Sequence, residues 1–422
     1  MLNRTQAPET RIPEKISLSK AEQIPLDGDI PLLIIRAGSQ DIVKIEFVFA
    51  AGTTSSVQPL LASAANDLLD EGTSKYSSAE LAELLDYYGA YFQAENGPDW
   101  ASVTLFSLNK FTQETLPLFA EALTDPIYPE KEIQTFRIQG KQRLAVGMSK
   151  VDFLARRNFL HALYGNAHPL GMMSAPEHYD ALSTDVFRQF HRRNYLEGLR
   201  AIIVSGQPDN RTLQTIKDFV QQTGFKRGTV GQIPVPALSP ERKLIEKKDA
   251  IQSAIRIGRI MFNRSHPDFF PFTVLNTVLG GYFGSRLMSN IREDKGYTYG
   301  IGSGLVSHFS DGYFFITTDV GADVREAAVK EIYHELQRLR EDLIPETELQ
   351  LVRNYMIGGF QRSIDGPFAQ ADRHKIICLH EQSDDYYARY LEEIRTVTAE
   401  QLRQLAQHYL NQEQLFEIVA GK

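Results

Sequence analysis

The chain has 422 residues, 42% of them apolar and 23% charged, with a formal net charge of −8. That length exceeds one ordinary core and predicts two domains of about 200 residues each, while the mildly acidic balance, with no basic cluster or tail, argues against nucleic-acid binding as the main role. The single cysteine, Cys378, rules out an internal disulfide, and no run of about 18 apolar residues offers a membrane span.

The opening stretch, MLNRTQAPETRIPEK, is polar and lacks the basic-then-apolar pattern of a leader. A soluble cytoplasmic protein is expected, or a periplasmic one if a leader has been removed. The apolar pattern of the first half predicts strands near 31–37, 42–51, 90–96, 100–108 and 199–205, with helices near 59–71, 77–88, 111–123, 129–148, 151–165, 183–194 and 209–222. GFKRGTVGQIPVPALSPERK, rich in Gly and Pro and without helical period, reads as a linker over 223–241 between domains at 1–222 and 242–422. The second half predicts strands near 242–248, 252–262, 298–308, 311–320 and 414–420, and helices near 268–280, 285–293, 324–340, 345–363, 367–382 and 398–410. Strands in pairs with helices grouped between them indicate an α+β fold, an antiparallel-type sheet with helices on one face.

The halves echo each other. YPEKEIQTFR and IPETELQLVR each open a helix with Pro and Glu in the first turn, and Pro129 and Pro345 are 216 positions apart. VFRQFHRRNYL and QLRQLAQHYL repeat at a similar spacing and each runs into an apolar strand. A repeat that long is a duplicated domain, not a solenoid unit.

The richest stretch is GYFGSRLMSNIREDKGYTYGI, residues 281–301. It reads as a short helix to Arg292-Glu293, a turn at Asp294-Lys295-Gly296 and a strand carrying Tyr297 and Tyr299. An Arg grips a carbonyl or carboxylate with a fixed fork of donors, and a Tyr hydroxyl can donate to a developing oxyanion. The plain alternative is a surface Arg and an ordinary strand Tyr. Period two sends Tyr297 the same way as Tyr299, either to line the same surface or to pack against the helix.

Other features have plainer readings. Gly280-Gly281, Gly302 and Gly304 form no phosphate-binding motif and are expected at close helix–strand contacts. Gly358-Gly359 suggests close approach of another helix or a bend. Trp100 is expected at a strand start, and Cys378, in an apolar helical run, as a buried structural thiol. The ten histidines form no i, i+4 pair on a helix: His374 and His380 are six apart, and His161 and His168 flank a turn. Nothing like G-x-S-x-G is present.

Residues 281–301 closely resemble a C-terminal-domain motif of the insulinase-like (pitrilysin-type) zinc peptidases, in which an Arg and a Tyr seven positions later bind substrate beside a distant zinc. Arg292 and Tyr299 have that spacing. The family holds zinc through H-x-x-E-H, its Glu acting as general base. The matching stretch here, LASAANDLLDEGT, places Ser63, Asn66 and Asp67 at the three motif positions. A further Glu ligand is expected near Gln139 to Leu144, yet no acid occurs from Ile133 through Lys150. The resemblance, covering nearly the whole chain, implies two halves facing as a clamshell. It also implies a subunit without a catalytic residue or metal of its own, probing peptides with Arg292 and Tyr299. Zinc and the base would come from an H-x-x-E-H partner in a heterodimer, with a homodimer left open for the chain alone. The alternatives are a peptide-binding or scaffold protein with no part in catalysis, and an independent enzyme whose metal site lies elsewhere.

Overall fold

The computed structural model describes Pro13, residues 16–231 and residues 233–422. Among the described residues eleven strands appear in chain order: β1 (Glu22–Leu26), β2 (Ile30–Arg36), β3 (Ile42–Phe49), β4 (Tyr91–Asn96), β5 (Ala101–Leu108), β6 (Leu199–Gly206), β7 (Arg242–Glu246), β8 (Gln252–Met261), β9 (Thr298–Ser307), β10 (Gly312–Gly321) and β11 (Phe416–Gly421). They build two sheets, ordered β1-β2-β6-β3-β5-β4 and β7-β11-β8-β10-β9. With β1 set aside, the second order is the first repeated strand for strand. Each sheet has one parallel pair, β2 with β6 and β7 with β11, and is otherwise antiparallel. The α+β duplication is therefore present in the topology itself.

Most predicted elements form within a few residues of their expected ends. Three were not read from the sequence: β1, the short helix Pro176–Asp180 and the helix Tyr386–Thr396. The helix expected over 59–71 covers only Leu61–Asp67, after which the chain unwinds toward Gly72, whose φ of 135° lies in the region that favours glycine. The helix expected over 285–293 forms as a wide π-type turn, Met288–Asp294.

One face of each sheet packs on its own half's helices. Phe47, Phe49, Phe119 and Tyr195 centre the first core; Phe272, Phe314, Ile332 and Leu349 centre the second. The other face is covered by a helix from the opposite half, so helices lie on both faces and not on one. Helix Pro367–Leu379 lies across β6 and β2, with Ala371 and Leu379 against Leu33, Val48 and Ile203. Helix Val151–Tyr164 lies across β8 and β11, with Phe159 and Leu163 against Phe416 and Ile418. This reciprocal loan explains the nearly continuous burial of β3 and β6 where a one-sided sheet would alternate. Among the described residues no helix is long and apolar enough to cross a membrane.

Candidate functional site

The Arg292 region is assembled by close packing. Helix Phe269–Gly280 ends on β9: a Cβ at Gly280 would stand 2.6 Å from Ser303 Oγ and 2.7 Å from Ser303 N. Only glycine lets the helix end and the strand approach this closely. The chain then passes Tyr282 and Phe283, enters the π-type turn, and reverses at Gly296, whose φ is 67°. Such widened turns are frequent at functional sites. Tyr297 N–H donates to the Ile291 carbonyl at 3.0 Å and its ring packs against the second core.

Tyr299 points elsewhere. Thr298 pairs with Val320 and Ile301 with Thr318, so Tyr299 and Gly300 together stand opposite Asp319 alone. That bulge breaks the period-two alternation and turns Tyr299 outward, where it is 92% exposed. Of the two placements considered for Tyr297, packing inward is the one observed.

Arg292 and Tyr299 come together. The Arg292 guanidinium carbon lies 5.3 Å from the Tyr299 ring centre and 4.6 Å from that of Phe283, a cation held between two aromatic faces. Phe283 is itself 61% exposed. Among the described residues no carboxylate pairs with Arg292. Beside this stack lies a pocket of ≈ 570 Å³ whose wall includes Phe283, Gly300, Arg256, Asp319 and, from the first half, Asp152. Burial raises the Asp319 pKa, and the like charge of Asp152 adds to it. Burial lowers that of Arg256, against the pull of Asp319. Sequence reasoning missed Phe283, Asp152, Arg256 and Asp319. Phe283 lay inside the singled-out stretch; the other three come from distant strands and a helix and left no local pattern.

Ser63, Asn66 and Asp67 share the helix Leu61–Asp67 but do not form a ligand set. The Ser63 hydroxyl donates back to the Leu60 carbonyl at 3.1 Å. Asn66 is fully buried, and the Tyr195 hydroxyl donates to its Oδ1 at 2.9 Å. Asp67 is exposed at the helix end, yet desolvation raises its pKa while Arg143 pulls it down. Helix Glu130–Met148 therefore brings a cation, not a carboxylate, near Asp67. The Tyr179 ring occupies the space a side chain at Gly140 would need. Among the described residues, no three His, Cys, Asp or Glu side chains converge as a metal site.

The remaining singled-out residues are structural. Trp100 lies just before β5 and packs 5.4 Å from Phe309 and 6.0 Å from His380. His168 is buried and stacked on Tyr164, His161 Nδ1 lies 2.9 Å from the Gly171 carbonyl, and Cys378 is half-buried with its thiol pKa raised by burial. Gly358 and Gly359 correct an expectation: a Cβ at either would meet nothing within 4 Å, so no helix approaches them.

Residues 181–356 match the sequence model of a family described as Peptidase M16 inactive domain. A Bacillus subtilis protein named "Uncharacterized zinc protease YmxG" is 23% identical over 356 residues, 83% of this chain and 85% of the relative. A Helicobacter pylori relative named "Non-peptidase homolog YmxG" is 24% identical over 301 residues, 69% of this chain and 68% of its own. A crystal structure of a peptidase M16 inactive domain from Pseudomonas fluorescens superposes with a TM-score of 0.88 at 22% identity, covering 95% of this chain and 98% of that one. A protease structure from Helicobacter pylori gives a TM-score of 0.83 at 15% identity over 96% of this chain and 100% of its own.

Proposed function

We propose that this chain, a member of the M16 (insulinase-like) peptidase family by its fold and its 181–356 segment, is a non-catalytic subunit that grips peptide for a zinc-bearing partner. The observation that carries the reading is Arg292, a guanidinium with no counter-charge among the described residues, held between the exposed rings of Phe283 and Tyr299. Such a fork suits a peptide carbonyl or carboxylate, and the Tyr299 hydroxyl is available to donate to a carbonyl oxygen as charge develops on it. The wall beside it offers the Thr317 hydroxyl to a bound chain. Zinc and the general base would come from an H-x-x-E-H partner. The fully buried Asn66 favours this division of labour, because a general base must reach water, and here that position is committed to Tyr195.

The test mixes the chain with an H-x-x-E-H homologue and follows cleavage of a fluorogenic peptide. Wild type should raise kcat. Arg292→Ala and Tyr299→Phe should remove most of the gain while still forming the complex, since one lost oxyanion donor typically costs 100-fold or more. Variants that stimulate as well as wild type would leave the chain a scaffold that acts through shape alone.

A further inference from the structure

A second pocket stands where the duplicated half repeats the helix of Ser63, Asn66 and Asp67. Lys44 in β3 and Ala254 in β8 hold matching register positions, opposite Ser205 and Ala420 of the corresponding strands β6 and β11, and lie 210 residues apart. The same interval carries Ser63, Asn66 and Asp67 to Thr273, Asn276 and Thr277, and all three line one pocket of ≈ 410 Å³. Its far wall is helix Glu346–Arg362, the repeat of helix Glu130–Met148.

The chemistry of this wall is unlike that of its mirror. Six of its rings form a continuous cluster: Phe270 lies 4.9 Å from Tyr386 and 5.4 Å from Tyr390, Phe360 lies 5.3 Å from Tyr387, and Tyr386 and Tyr387 are 5.0 Å apart, with Phe269 6.0 Å from Phe270. Two cations, Arg264 and Arg373, reach the pocket, and no carboxylate lines it. Among the described residues neither forms an ion pair; Arg264 reaches the Tyr386 hydroxyl and Arg373 the Tyr387 hydroxyl, while the buried Nε of Arg264 has no hydrogen-bond partner. Asn276 is 8% exposed, and its Oδ1 is left without a partner. Gly359 adds open space in the same wall.

We propose that this pocket binds the C-terminus of a peptide, at a site separate from Arg292 and Tyr299. The free carboxylate meets Arg264 and Arg373, the last side chain, apolar, lies among the rings, and the last amide N–H donates to Asn276 Oδ1. The volume fits, since ligand sites usually span roughly 300–1,000 Å³. Guanidinium groups over aromatic faces and without a carboxylate partner select a carboxylate beside an apolar group. The choice of a peptide as ligand rests on the peptide-gripping role proposed above; the pocket's existence and chemistry do not.

The test is fluorescence anisotropy with a labelled tetrapeptide ending in phenylalanine, free acid against C-terminal amide. The free acid should bind at least about tenfold more tightly, the worth of a charge-assisted contact. Arg264→Gln or Arg373→Gln should erase that preference. Gly359→Leu fills the pocket from a helical position with open space beyond, and should abolish binding without lowering the urea midpoint. Arg292→Ala should keep the preference for free acid over amide. Equal binding of acid and amide, wild-type binding by Gly359→Leu, or no binding at millimolar peptide each overturns the proposal. Loss of the acid preference in Arg292→Ala but not in Arg264→Gln or Arg373→Gln would seat the carboxylate at the first site, refuting this pocket and leaving the subunit role standing.

Discussion

Glu46 is the sharpest point at which to test how the two halves are fixed to each other. It lies in β3, is 1% exposed, and faces the borrowed helix Pro367–Leu379. Lys375 Nζ of that helix is 2.6 Å from Oε1, and Lys44 Nζ is 3.1 Å from Oε2, close in charge but off hydrogen-bond alignment. Asp372 joins at 3.0 Å from Lys44 and 3.4 Å from Lys375, with half its side chain in solvent. Burial alone would lower the Lys44 pKa, yet Glu46 and Asp372 outweigh it and raise it. Glu46→Gln leaves two largely buried ammonium groups sharing one exposed carboxylate. Removing one partner of a buried pair costs about 3–5 kcal/mol; Asp372 remains, so we expect the low end, about 3 kcal/mol. Urea unfolding measures the loss, and hydrogen exchange should locate it as faster exchange in β6 and helix Pro367–Leu379. The apolar triple change Lys44→Met, Glu46→Leu, Lys375→Met should recover most of the loss, because the only charge then left unpaired is Asp372, half in solvent. A Glu46→Gln variant within about 0.5 kcal/mol of wild type, the range of an ordinary surface change, would refute the claim that this cluster pins the halves.

Burial, with Arg264, Arg200 and His308 adding, holds the His380 pKa down to about 3. A depressed folded pKa means the stability is present above the unfolded value near 6.5 and is lost as pH falls; at pH 5 the loss is about 2 kcal/mol, and His380→Phe, whose ring still packs on Phe309, should flatten the urea midpoint between pH 7.5 and 5. Gly280→Ala sets a Cβ against the Ser303 backbone; it should cost about 1–3 kcal/mol and, by shifting β9, reduce the stimulation of a partner peptidase proposed above for Tyr299, whereas unchanged stimulation would show that the close contact does not set the stack. Ser63→His, Asn66→Glu, Asp67→His recreates H-x-x-E-H in letters only: it buries a carboxylate in place of the Tyr195 partner and sets a ligand near Arg143, so equilibrium dialysis should find no stoichiometric zinc, and tight binding would mean the site is merely unliganded.

Much of this was legible in the sequence because it is local. The Pro129 and Pro345 helix starts announced the duplication, and the strand orders repeat it. The seven-residue step from Arg292 to Tyr299 placed both at one spot, because helix end, Gly296 reversal and strand follow each other without a break. What stayed hidden depends on other parts of the chain. The loan of helices Val151–Tyr164 and Pro367–Leu379 leaves no mark on their own periodicity, since an apolar stripe does not say which sheet it meets. The bulge at Tyr299–Gly300 is a matter of register with β10, so the alternation argument put Tyr297 and Tyr299 on one face. The Gly358-Gly359 pair looked like a packing contact and is open space, because glycine marks the absence of a side chain without naming what fills its place.

The two stretches that the family resemblance singles out are placed oppositely, and the contrast bears on function. Asn66, at the position the family resemblance would give to a general base, is sealed from water and tied to Tyr195. Tyr299 and Phe283 stand in solvent with Arg292 between them. Burying those rings would be favourable by roughly 25 cal/mol per Å², yet the bulge and the π-type turn hold them out. Exposed aromatic surface around an uncompensated cation gains its free energy only when something covers it. A scaffold that acted by shape alone would have no use for that arrangement. A peptide laid against it would supply both the cover and the carbonyl that the guanidinium lacks.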